Sequence, residues 1–306
     1  MSAIDLFVQH LRKLSLNSDA CRLFHGRGGL FSELEQITLD WYPPVLLMTA
    51  FKPIEESLRN GLIEQVQEMW CQHWHQTDSI NLVFQQRGAG MAQVELLFGT
   101  VPDHHVVFEN GRKSVVHLLR GQNHGLFLDM RNGRDWVEDN AEGRNVLNLF
   151  AYTCAFSVAA LRGKARQVIN IDMSKTALAT GRDNHKINSV NENYRLLGHD
   201  IFKSWGKLRK LGPYDLIIAD PPSNQKGSFV ASNDYPRLLR KLPELLVPGG
   251  EVLLCLSAPE LSRNFLQEQV AVECPELVFV RQVENPAIFA DIDPDRALKV
   301  LLYKKS

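Results

Sequence analysis

Five short apolar runs recur between residues 145 and 256, separated by segments that include helical spacing of apolar side chains. This alternation is typical of a parallel β-sheet covered by helices, because parallel neighbours must be joined by a crossover connection. The predicted strands are residues 146–150, 168–171, 194–197, 216–219 and 252–256, and the predicted helices are residues 156–162, 174–188 and 235–246. Two further predicted strands, residues 277–283 and 298–303, are joined by a loop too short for a crossover helix, so we expect an antiparallel pair at the sheet edge. The fold class is therefore α/β with a seven-stranded sheet.

The N-terminal part of the chain follows a mixed α+β pattern. Its predicted elements are a helix over residues 4–14, strands over residues 37–39 and 45–49, and a helix over residues 54–74. Asn110-Gly111 lies between two apolar runs and predicts a type I′ hairpin, because both central residues of that turn need positive φ. We predict a smaller domain over residues 1–120, ending in this hairpin, and a larger domain over residues 121–306.

Composition limits the class of protein. Apolar residues make up 44% of the 306 residues and charged residues 23%, which excludes a disordered or fibrous chain. The five cysteines are scattered without a CxxC pair, and the paired histidines lack i, i+4 spacing, so we predict neither disulfides nor a metal site. The N-terminus does not resemble a secretory signal, and no apolar run is long enough to span a membrane. These features predict a cytoplasmic protein with reduced thiols.

The formal net charge of −1 conceals two halves of opposite sign. Residues 1–145 carry 13 Lys and Arg against 18 Asp and Glu, whereas residues 146–306 carry 21 against 17. The overall charge argues against a polybasic protein that coats nucleic acid, but a local basic face is compatible with it. We predict that Lys203, Lys226 and Arg237 contact RNA phosphates, with an ordinary solvated helix surface as the alternative.

Polar residues follow the predicted strands at the edge where an open α/β sheet binds its ligand. They are Ala151-Tyr152-Thr153, Asp172-Met173-Ser174, Asp200 and Asp220-Pro221-Pro222. Asp172 is placed to accept both hydroxyls of a ribose, Asp200 to accept from an adenine amino group, and Met173 to lie against the ring. The alternative is structural, since Asp172 or Ser174 could simply cap the following helix.

Several segments together resemble class I S-adenosylmethionine-dependent methyltransferases, and among these the bacterial 23S rRNA methyltransferases of the RlmI and RlmK type. They are VLNLFAYTCAF at residues 146–156, DMSK at 172–175, Asp200, DPP at 220–222, PGG at 248–250 and GLFLDMR at 125–131. Weaker similarity extends back to about Cys21. The resemblance implies a Rossmann-like methyltransferase domain behind a small α+β substrate-recognition domain.

The resemblance also implies roles for individual residues. Asp220, Pro221 and Pro222 would form the catalytic turn that positions the methyl acceptor. S-adenosylmethionine would be bound by Phe150, Ala151, Tyr152, Thr153, Asp172, Met173, Ser174, Asp200, Ile201, Asp220, Leu128 and Arg131. Arg131 would pair either with a phosphate or with the cofactor carboxylate. No metal is required, because the cofactor carries an activated methyl group.

Three positions depart from the pattern of the family. Related enzymes that methylate C5 of cytosine have a cysteine where this chain has Ser257, and Cys255 lies among apolar residues, so methylation of nitrogen is favoured. Ser223 follows the DPP turn in place of an aromatic residue, and the next aromatic residue is Phe229. Cys154 replaces a loop glycine, which predicts a harder approach of the backbone to the cofactor.

The predicted function is S-adenosylmethionine-dependent methylation of a base, at nitrogen rather than at C5 of cytosine, in large-subunit ribosomal RNA. One alternative is methylation of a small molecule or a protein. The other, suggested by Cys154, is a cofactor-binding or RNA-binding member that has lost catalysis. An NAD-dependent dehydrogenase is disfavoured because no G-x-G-x-x-G follows the first strand of the larger domain. The oligomeric state is left open.

Overall fold

The computed structural model describes residues 2–74, 79–88, 92–225 and 229–306, without the side chains of residues 224 and 225. The chain separates into two compact units. The N-terminal unit comprises Met1–Leu128 and Ala287–Pro294, and the C-terminal unit comprises Asp129–Pro286 and Asp295–Ser306. A short segment from near the end of the chain therefore returns to the N-terminal unit, a feature that no sequence pattern indicated.

The N-terminal unit is built on a five-stranded sheet in the order β1-β2-β3-β4-β5. Its elements are α1 (Ala3–Leu11), β1 (Cys21–His25), β2 (Ile37–Tyr42), β3 (Val45–Ala50), α2 (Glu56–Glu68), β4 (Leu82–Gln86), β5 (Gln93–Phe98), β6 (Val106–Glu109) and β7 (Arg112–Val115). β2 pairs antiparallel with both β1 and β3, and β3 pairs parallel with β4. Consequently β1, β3 and β4 run in the same direction. Apolar side chains of α1 and α2, including Phe7 and Leu62, are fully buried in the core of this unit.

The predicted type I′ hairpin is confirmed. Asn110 and Gly111, between β6 and β7, have φ angles of 48° and 75°. β1, β4 and β5 were not predicted, because their runs are short and mix polar with apolar side chains.

The C-terminal unit contains the predicted seven-stranded sheet, in the order β10-β9-β8-β11-β14-β16-β15. Its elements are α3 (Arg131–Asn140), β8 (Asn145–Leu149), α4 (Ala155–Arg162), β9 (Gln167–Asp172), α5 (Lys175–Ile187), β10 (Tyr194–Gly198), α6 (Trp205–Leu211), β11 (Tyr214–Ala219), β12 (Asn224–Gln225), β13 (Phe229–Val230), α7 (Ala231–Leu239), α8 (Leu242–Leu245), β14 (Leu246–Leu256), α9 (Arg263–Glu273), β15 (Leu277–Gln282) and β16 (Lys299–Lys305). β8 to β11 and β14 are parallel, and β16 is antiparallel to both β14 and β15. The α/β fold class and the antiparallel pair at the sheet edge are thus confirmed.

The order of the strands creates the place where a ligand can bind. The chain proceeds from β8 outward to β9 and β10, and then returns to place β11 on the other side of β8. Connections on the two sides of β8 therefore diverge, which leaves a crevice beyond the carboxyl ends of β8 and β11.

One predicted helix is wrong in extent. Residues 235–246 were expected to form a single helix, but α7 begins at Ala231, ends at Leu239 and is followed by the separate helix α8. Pro243 stands in the first turn of α8, and its ring and missing N–H prevent a continuous helix through this segment. The helices α3, α6 and α9 were not predicted. No helix in the described ranges is long and apolar enough to cross a membrane.

Candidate functional site

The loop that follows β8 has an unusual backbone. Phe150, Tyr152 and Cys154 have φ angles of 57°, 46° and 62°, a region that costs about 1–3 kcal/mol for each residue with a side chain. The loop is held in this form by hydrogen bonds from the Ala151 amide to the Ile171 carbonyl (3.1 Å) and from the Cys154 amide to the Ala151 carbonyl (2.7 Å). The amides of Ala151, Tyr152 and Cys154 thus all donate to acceptors of the protein itself. Such strain is typical of a functional loop.

Asp172, the last residue of β9, fixes this loop from the neighbouring strand. Its Oδ2 accepts a hydrogen bond from the Tyr152 amide (2.8 Å), and its Oδ1 accepts one from the Ser174 amide (2.7 Å). Ser174 in turn caps α5 by accepting from the Ala177 amide (3.1 Å). A carboxylate has about four acceptor positions, so two remain after these backbone contacts. Asp172 therefore has the structural role and still retains the capacity to accept two hydroxyls.

The side chain of Cys154 lies inside the protein. It is fully buried, and a Cβ atom placed on Gly181 of α5 would lie 2.6 Å from its Sγ. Cys154 thus fills the space that the absent side chain of Gly181 leaves. Burial, together with the nearby Asp172, raises the pKa of its thiol. The expected obstruction of the loop therefore does not come from the side chain of Cys154, which packs against α5.

Asp200 follows β10 and organises a short helical turn, Ile201–Lys203. Its Oδ1 accepts from the Phe202 amide (2.9 Å), and its Oδ2 lies 3.5 Å from the Nζ of Lys203. The Lys203 side chain is 84% exposed, whereas Ile201 is buried. Asp200, Ile201 and Lys203, which were predicted as site residues, lie together in one turn at the edge of the sheet. The carboxylate of Asp200 lies against this turn, near the Phe202 amide and Lys203.

Arg237, the second predicted RNA contact, lies on α7. Its guanidinium donates to Asp234 (2.7 Å) and stacks 4.3 Å from the centre of the Phe202 ring. Lys203 and Arg237 are exposed, but each is accompanied by a carboxylate. Lys226 lies outside the described residues.

Asp220 follows β11 and begins the turn that contains Pro221 and Pro222. The residue is partly exposed, and desolvation of its carboxyl raises its pKa to about 7. Asp129 raises the pKa further, and Arg134 opposes the shift. A carboxyl with this pKa is populated in both its protonated and its ionised form near neutral pH. It is therefore suited to accept a proton from a group that is hydrogen-bonded to it.

The surroundings of the DPP turn are polar on one side and aromatic on the other. Ser223 Oγ lies 2.7 Å from Ser257 Oγ, at the end of β14. Phe229 is 1% exposed, and its ring contacts the rings of Phe150 and Tyr235, with centroids 5.3 Å apart in both cases. Its ring is therefore already packed against protein side chains and is not available to stack on a base.

Comparison with known proteins decides the family. Residues 21–304 match the family described as "S-adenosylmethionine-dependent methyltransferase". This chain belongs to that methyltransferase family.

Relatives and solved structures agree with this assignment. The methyltransferase is 30% identical over 304 residues to the Ribosomal RNA large subunit methyltransferase I of Erwinia tasmaniensis, covering 93% of this chain and 76% of the relative. It is 29% identical over 248 residues to the protein of the same name from Aeromonas salmonicida, covering 78% of this chain but only 62% of that relative.

The fold is shared with solved proteins over almost the whole chain. A Streptococcus mutans protein assigned as a SAM-dependent methyltransferase has a TM-score of 0.86 and 25% identity, covering 99% of this chain and 82% of that chain. A second structure, of a protein assigned as a methyltransferase and complexed with SAH, has a TM-score of 0.85 at 24% identity, with the same coverage.

The residues of this methyltransferase fit the cofactor of the family. Asp172 keeps two acceptor positions beside the strained loop, and Asp200 lies at the end of the next strand. Met173 is 52% exposed, so its thioether is not committed to the core. Arg131 is the first residue of α3, while Leu128 is buried at the end of Met1–Leu128, in the other unit. Within the described ranges no group of three or more His, Cys, Asp or Glu side chains is arranged to hold a metal ion.

Sequence reasoning missed the polar network that supports the loop of the methyltransferase. Asn184 of α5 donates to the Thr153 carbonyl (2.9 Å). Asn148 of β8 donates to Asn170 of β9 (2.9 Å), which donates to Ser157 of α4 (3.0 Å). The available signal was that asparagine interrupts two otherwise apolar strands, at positions 148 and 170, which are direct neighbours in the sheet. Buried polar side chains at such positions need partners, so they indicate a network.

Proposed function

We propose that this methyltransferase transfers the methyl group of S-adenosylmethionine to a nitrogen atom of a base in large-subunit ribosomal RNA. The observation that carries the proposal is the position of Asp220, which follows β11 at the crevice between β8 and β11 and has a raised pKa. The relatives named for ribosomal RNA methylation support the choice of substrate.

The proposed cofactor site lies along the carboxyl ends of β8, β9 and β10. Asp172 would accept the ribose hydroxyls, and Asp200 would accept from the adenine amino group. Met173 would lie against the adenine ring, and the loop would approach the methionine part. The other residues proposed to line this site within the C-terminal unit are Phe150, Ala151, Tyr152, Thr153, Ser174, Ile201 and Arg131. The SAH complex of a protein with the same fold supports a cofactor of this class.

Chemistry at the DPP turn follows from the groups that the chain presents there. S-adenosylmethionine supplies a methyl group on a sulfonium, already activated for transfer. Asp220 would accept a hydrogen bond from the N–H of the acceptor and so direct the nitrogen lone pair toward the methyl group. Pro221 and Pro222 restrict the backbone of the turn and hold that geometry. The displaced proton would leave through Asp220, whose pKa of about 7 permits this near neutral pH.

Methylation at carbon is disfavoured by the state of the cysteines. A thiolate must add to cytosine before its C5 becomes nucleophilic, so an accessible cysteine is required. The three cysteines of the C-terminal unit, Cys154, Cys255 and Cys274, are all buried, and burial raises the pKa of each thiol. Ser257 occupies the position where related enzymes carry the cysteine, and its hydroxyl pairs with Ser223.

The proposed RNA contacts of the C-terminal unit are Lys203, Lys226 and Arg237. Residues 1–120 are proposed to recognise the substrate. The chain spans 62% of the length of one ribosomal RNA methyltransferase that it matches and 76% of another.

The decisive experiment supplies labelled S-adenosylmethionine and undermodified ribosomal RNA, followed by nucleoside analysis of the product. We expect label in a base methylated at nitrogen. Appearance of 5-methylcytosine would overturn the choice of nitrogen, and label in protein or in a small molecule would overturn the choice of RNA. Absence of S-adenosylmethionine binding in a thermal-shift titration would overturn the enzymatic function itself and favour a member that has lost catalysis.

A further inference from the structure

The sheet of the N-terminal unit brings basic residues from distant parts of the chain to one edge. Because β1, β3 and β4 run in the same direction, the residues that follow them lie at the same end of the sheet. Ala50 and Gln86, the last residues of β3 and β4, are direct neighbours. The side chains that come next are Phe51 and Arg87, and Arg27 lies in the short turn Gly26–Gly28 after β1.

Phe51 holds two guanidinium groups at this edge. The guanidinium carbon of Arg27 lies 3.9 Å from the centre of the Phe51 ring, and that of Arg87 lies 4.8 Å from it. Each contact is a cation–π interaction of about 0.5–1 kcal/mol at a partly exposed site. The ring therefore keeps two like charges close together that would otherwise separate.

The partners of Arg87 fix its position without neutralising its charge. Its Nε donates to the side-chain oxygen of Gln85 (2.8 Å), and its Nη2 donates to the carbonyl of Gln122. Both acceptors are uncharged. Gln85 also donates to the carbonyl of Gly121 (2.8 Å), so the end of β4 is tied twice to the loop between His117 and His124.

That loop adds a further charge. Arg120 is exposed and precedes Gly121 and Gln122, the two residues tied to the end of β4. Lys52, also exposed, follows Phe51. We call Arg27, Phe51, Lys52, Arg87 and Arg120 the basic edge.

One carboxylate near this edge, that of Asp40, acts electrostatically on Arg87. Asp40 of β2 is engaged by Arg22 through two hydrogen bonds of 2.7 and 3.0 Å. The pKa values of His25, His117 and His124 are lowered by burial first, and in each case also by a neighbouring arginine. Arg27, Arg120 and Arg87 are among those arginines. Neighbouring arginines thus add to the lowering of these pKa values.

We propose that the basic edge binds the phosphate backbone of a single-stranded RNA segment, an inference that rests on the RNA substrate proposed above. Several arginine and lysine side chains around one aromatic ring suit a single strand, because phosphates pair with the cations and unstacked bases can stack on guanidinium planes. An acidic peptide would use only the charges, and it becomes an outcome of the test.

The test compares two double variants that remove the same charge. Arg27→Ala/Arg87→Ala removes the stacked pair, and Arg12→Ala/Lys13→Ala removes two exposed cations at the end of α1. A fluorescein-labelled, mixed-sequence 20-nucleotide RNA is titrated by anisotropy between 50 and 250 mM KCl. We expect the first variant to lose roughly tenfold in affinity at 50 mM KCl and to reduce the slope of log K against log salt by about 1.4, near 0.7 for each phosphate contact. The Arg12/Lys13 variant should stay within about twofold of wild type, since electrostatic attraction beyond a contact is screened.

Unchanged affinity and slope in the Arg27/Arg87 variant would overturn the proposal. So would competition by poly-glutamate as effective as that by unlabelled RNA. Because Arg87 is partly buried, Lys52→Glu/Arg120→Glu provides a second test with exposed side chains, and it should weaken binding in the same direction.

Methylation assays on undermodified ribosomal RNA separate this inference from the proposed function. The Arg27/Arg87 variant should raise KM for the RNA several-fold and leave kcat unchanged. If wild type methylates the RNA and the variant retains its KM, the inference alone fails. If wild type transfers no methyl group to RNA, the proposed function fails whatever the anisotropy shows.

Discussion

The two sheets of this protein present opposite charges at the ends of their parallel strands. β1, β3 and β4 of the N-terminal sheet are followed by Arg27, Lys52 and Arg87. The strands β9, β10 and β11 end at or just before Asp172, Asp200 and Asp220. These signs are the reverse of those in the bulk sequence, where residues 1–145 are acidic and residues 146–306 are basic. What a sheet edge can bind is therefore decided by the few residues that follow its strands.

The two edges also differ in how their polar side chains are held. Asp172 and Asp200 accept hydrogen bonds from backbone amides, in the case of Asp172 from the loop after β8 as well as from its own, which fixes the carboxylates relative to the chain. Arg27 and Arg87 are stacked on one ring, and Arg87 also donates to Gln85 and to the Gln122 carbonyl. Carboxylates held by backbone amides suit a small ligand with hydroxyl and amino groups in set places, whereas guanidinium groups held around one ring suit the phosphates of a polymer.

We call the strand ends of the C-terminal sheet that carry Asp172, Asp200 and Asp220 the acidic edge. The largest expected effect comes from this acidic edge. Asp220→Ala should lower kcat for methyl transfer by about 10²–10³-fold while the affinity for S-adenosylmethionine changes less than about threefold, because positioning of the acceptor is lost and the proposed ribose contacts are kept. Single-turnover rates and calorimetry measure the two quantities. A variant that keeps a third of the wild-type rate would contradict the role of Asp220.

The pH dependence tests the same carboxyl. The pKa of Asp220 is raised to about 7, so the side chain becomes an acceptor carboxylate as pH rises through that value. We expect kcat of wild type to increase between pH 6 and pH 8. Asp220→Asn cannot ionise, and its residual rate should be flat over this range. A wild-type profile without this increase would show that the carboxyl does not act in its ionised form.

A smaller effect is expected at Asp172. Asp172→Asn should weaken S-adenosylmethionine binding by about tenfold or more, since a hydrogen bond to a charged acceptor contributes about 1.5–3 kcal/mol. Calorimetric titration measures the change. Asp183→Asn removes the same charge from an exposed position on α5 and should leave the affinity unaltered. Equal affinities for the two variants would mean that Asp172 only holds the loop and caps α5.

The pairing of Cys154 with Gly181 can be tested by a double-mutant cycle. Gly181→Ala should destabilise the protein, because its Cβ would meet Cys154 Sγ at 2.6 Å. In a Cys154→Gly background the same change should be tolerated, since the next nearest atom, the carbonyl carbon of Thr153, is 3.4 Å away. We expect a coupling free energy of about 1–3 kcal/mol from urea unfolding. Additive effects would show that the two positions are not matched.

The smallest effect sharpens the contrast between the two edges. Lys203→Ala/Arg237→Ala should reduce RNA affinity by no more than about threefold at 150 mM salt, because Asp200 and Asp234 already accompany these cations. Fluorescence anisotropy with the same labelled 20-nucleotide RNA measures this affinity. A loss larger than that of Arg27→Ala/Arg87→Ala would make the C-terminal unit the main RNA-binding surface.

Local patterns were sufficient for much of the fold. The seven strands of the large sheet, its antiparallel edge pair and the Asn110-Gly111 turn follow from apolar periodicity and turn chemistry, which act within a few residues. The polar residues after each strand could also be predicted to form one site, because parallel strands place their carboxyl ends at the same edge of the sheet. β1, β4, β5, the division between α7 and α8, and the helices α3, α6 and α9 were missed where short or mixed runs blur the period.

The sequence by itself determined the elements of both sheets only in part, but it determined the acidic edge almost completely, since each carboxylate lies at or just beyond the end of an apolar strand. Only the tertiary structure decided the basic edge and the fit of Cys154 against Gly181. Residues 27, 51, 87 and 120 come together through sheet direction and through two hydrogen bonds to a distant loop. Such contacts depend on strand order and packing, which no spacing along the chain records.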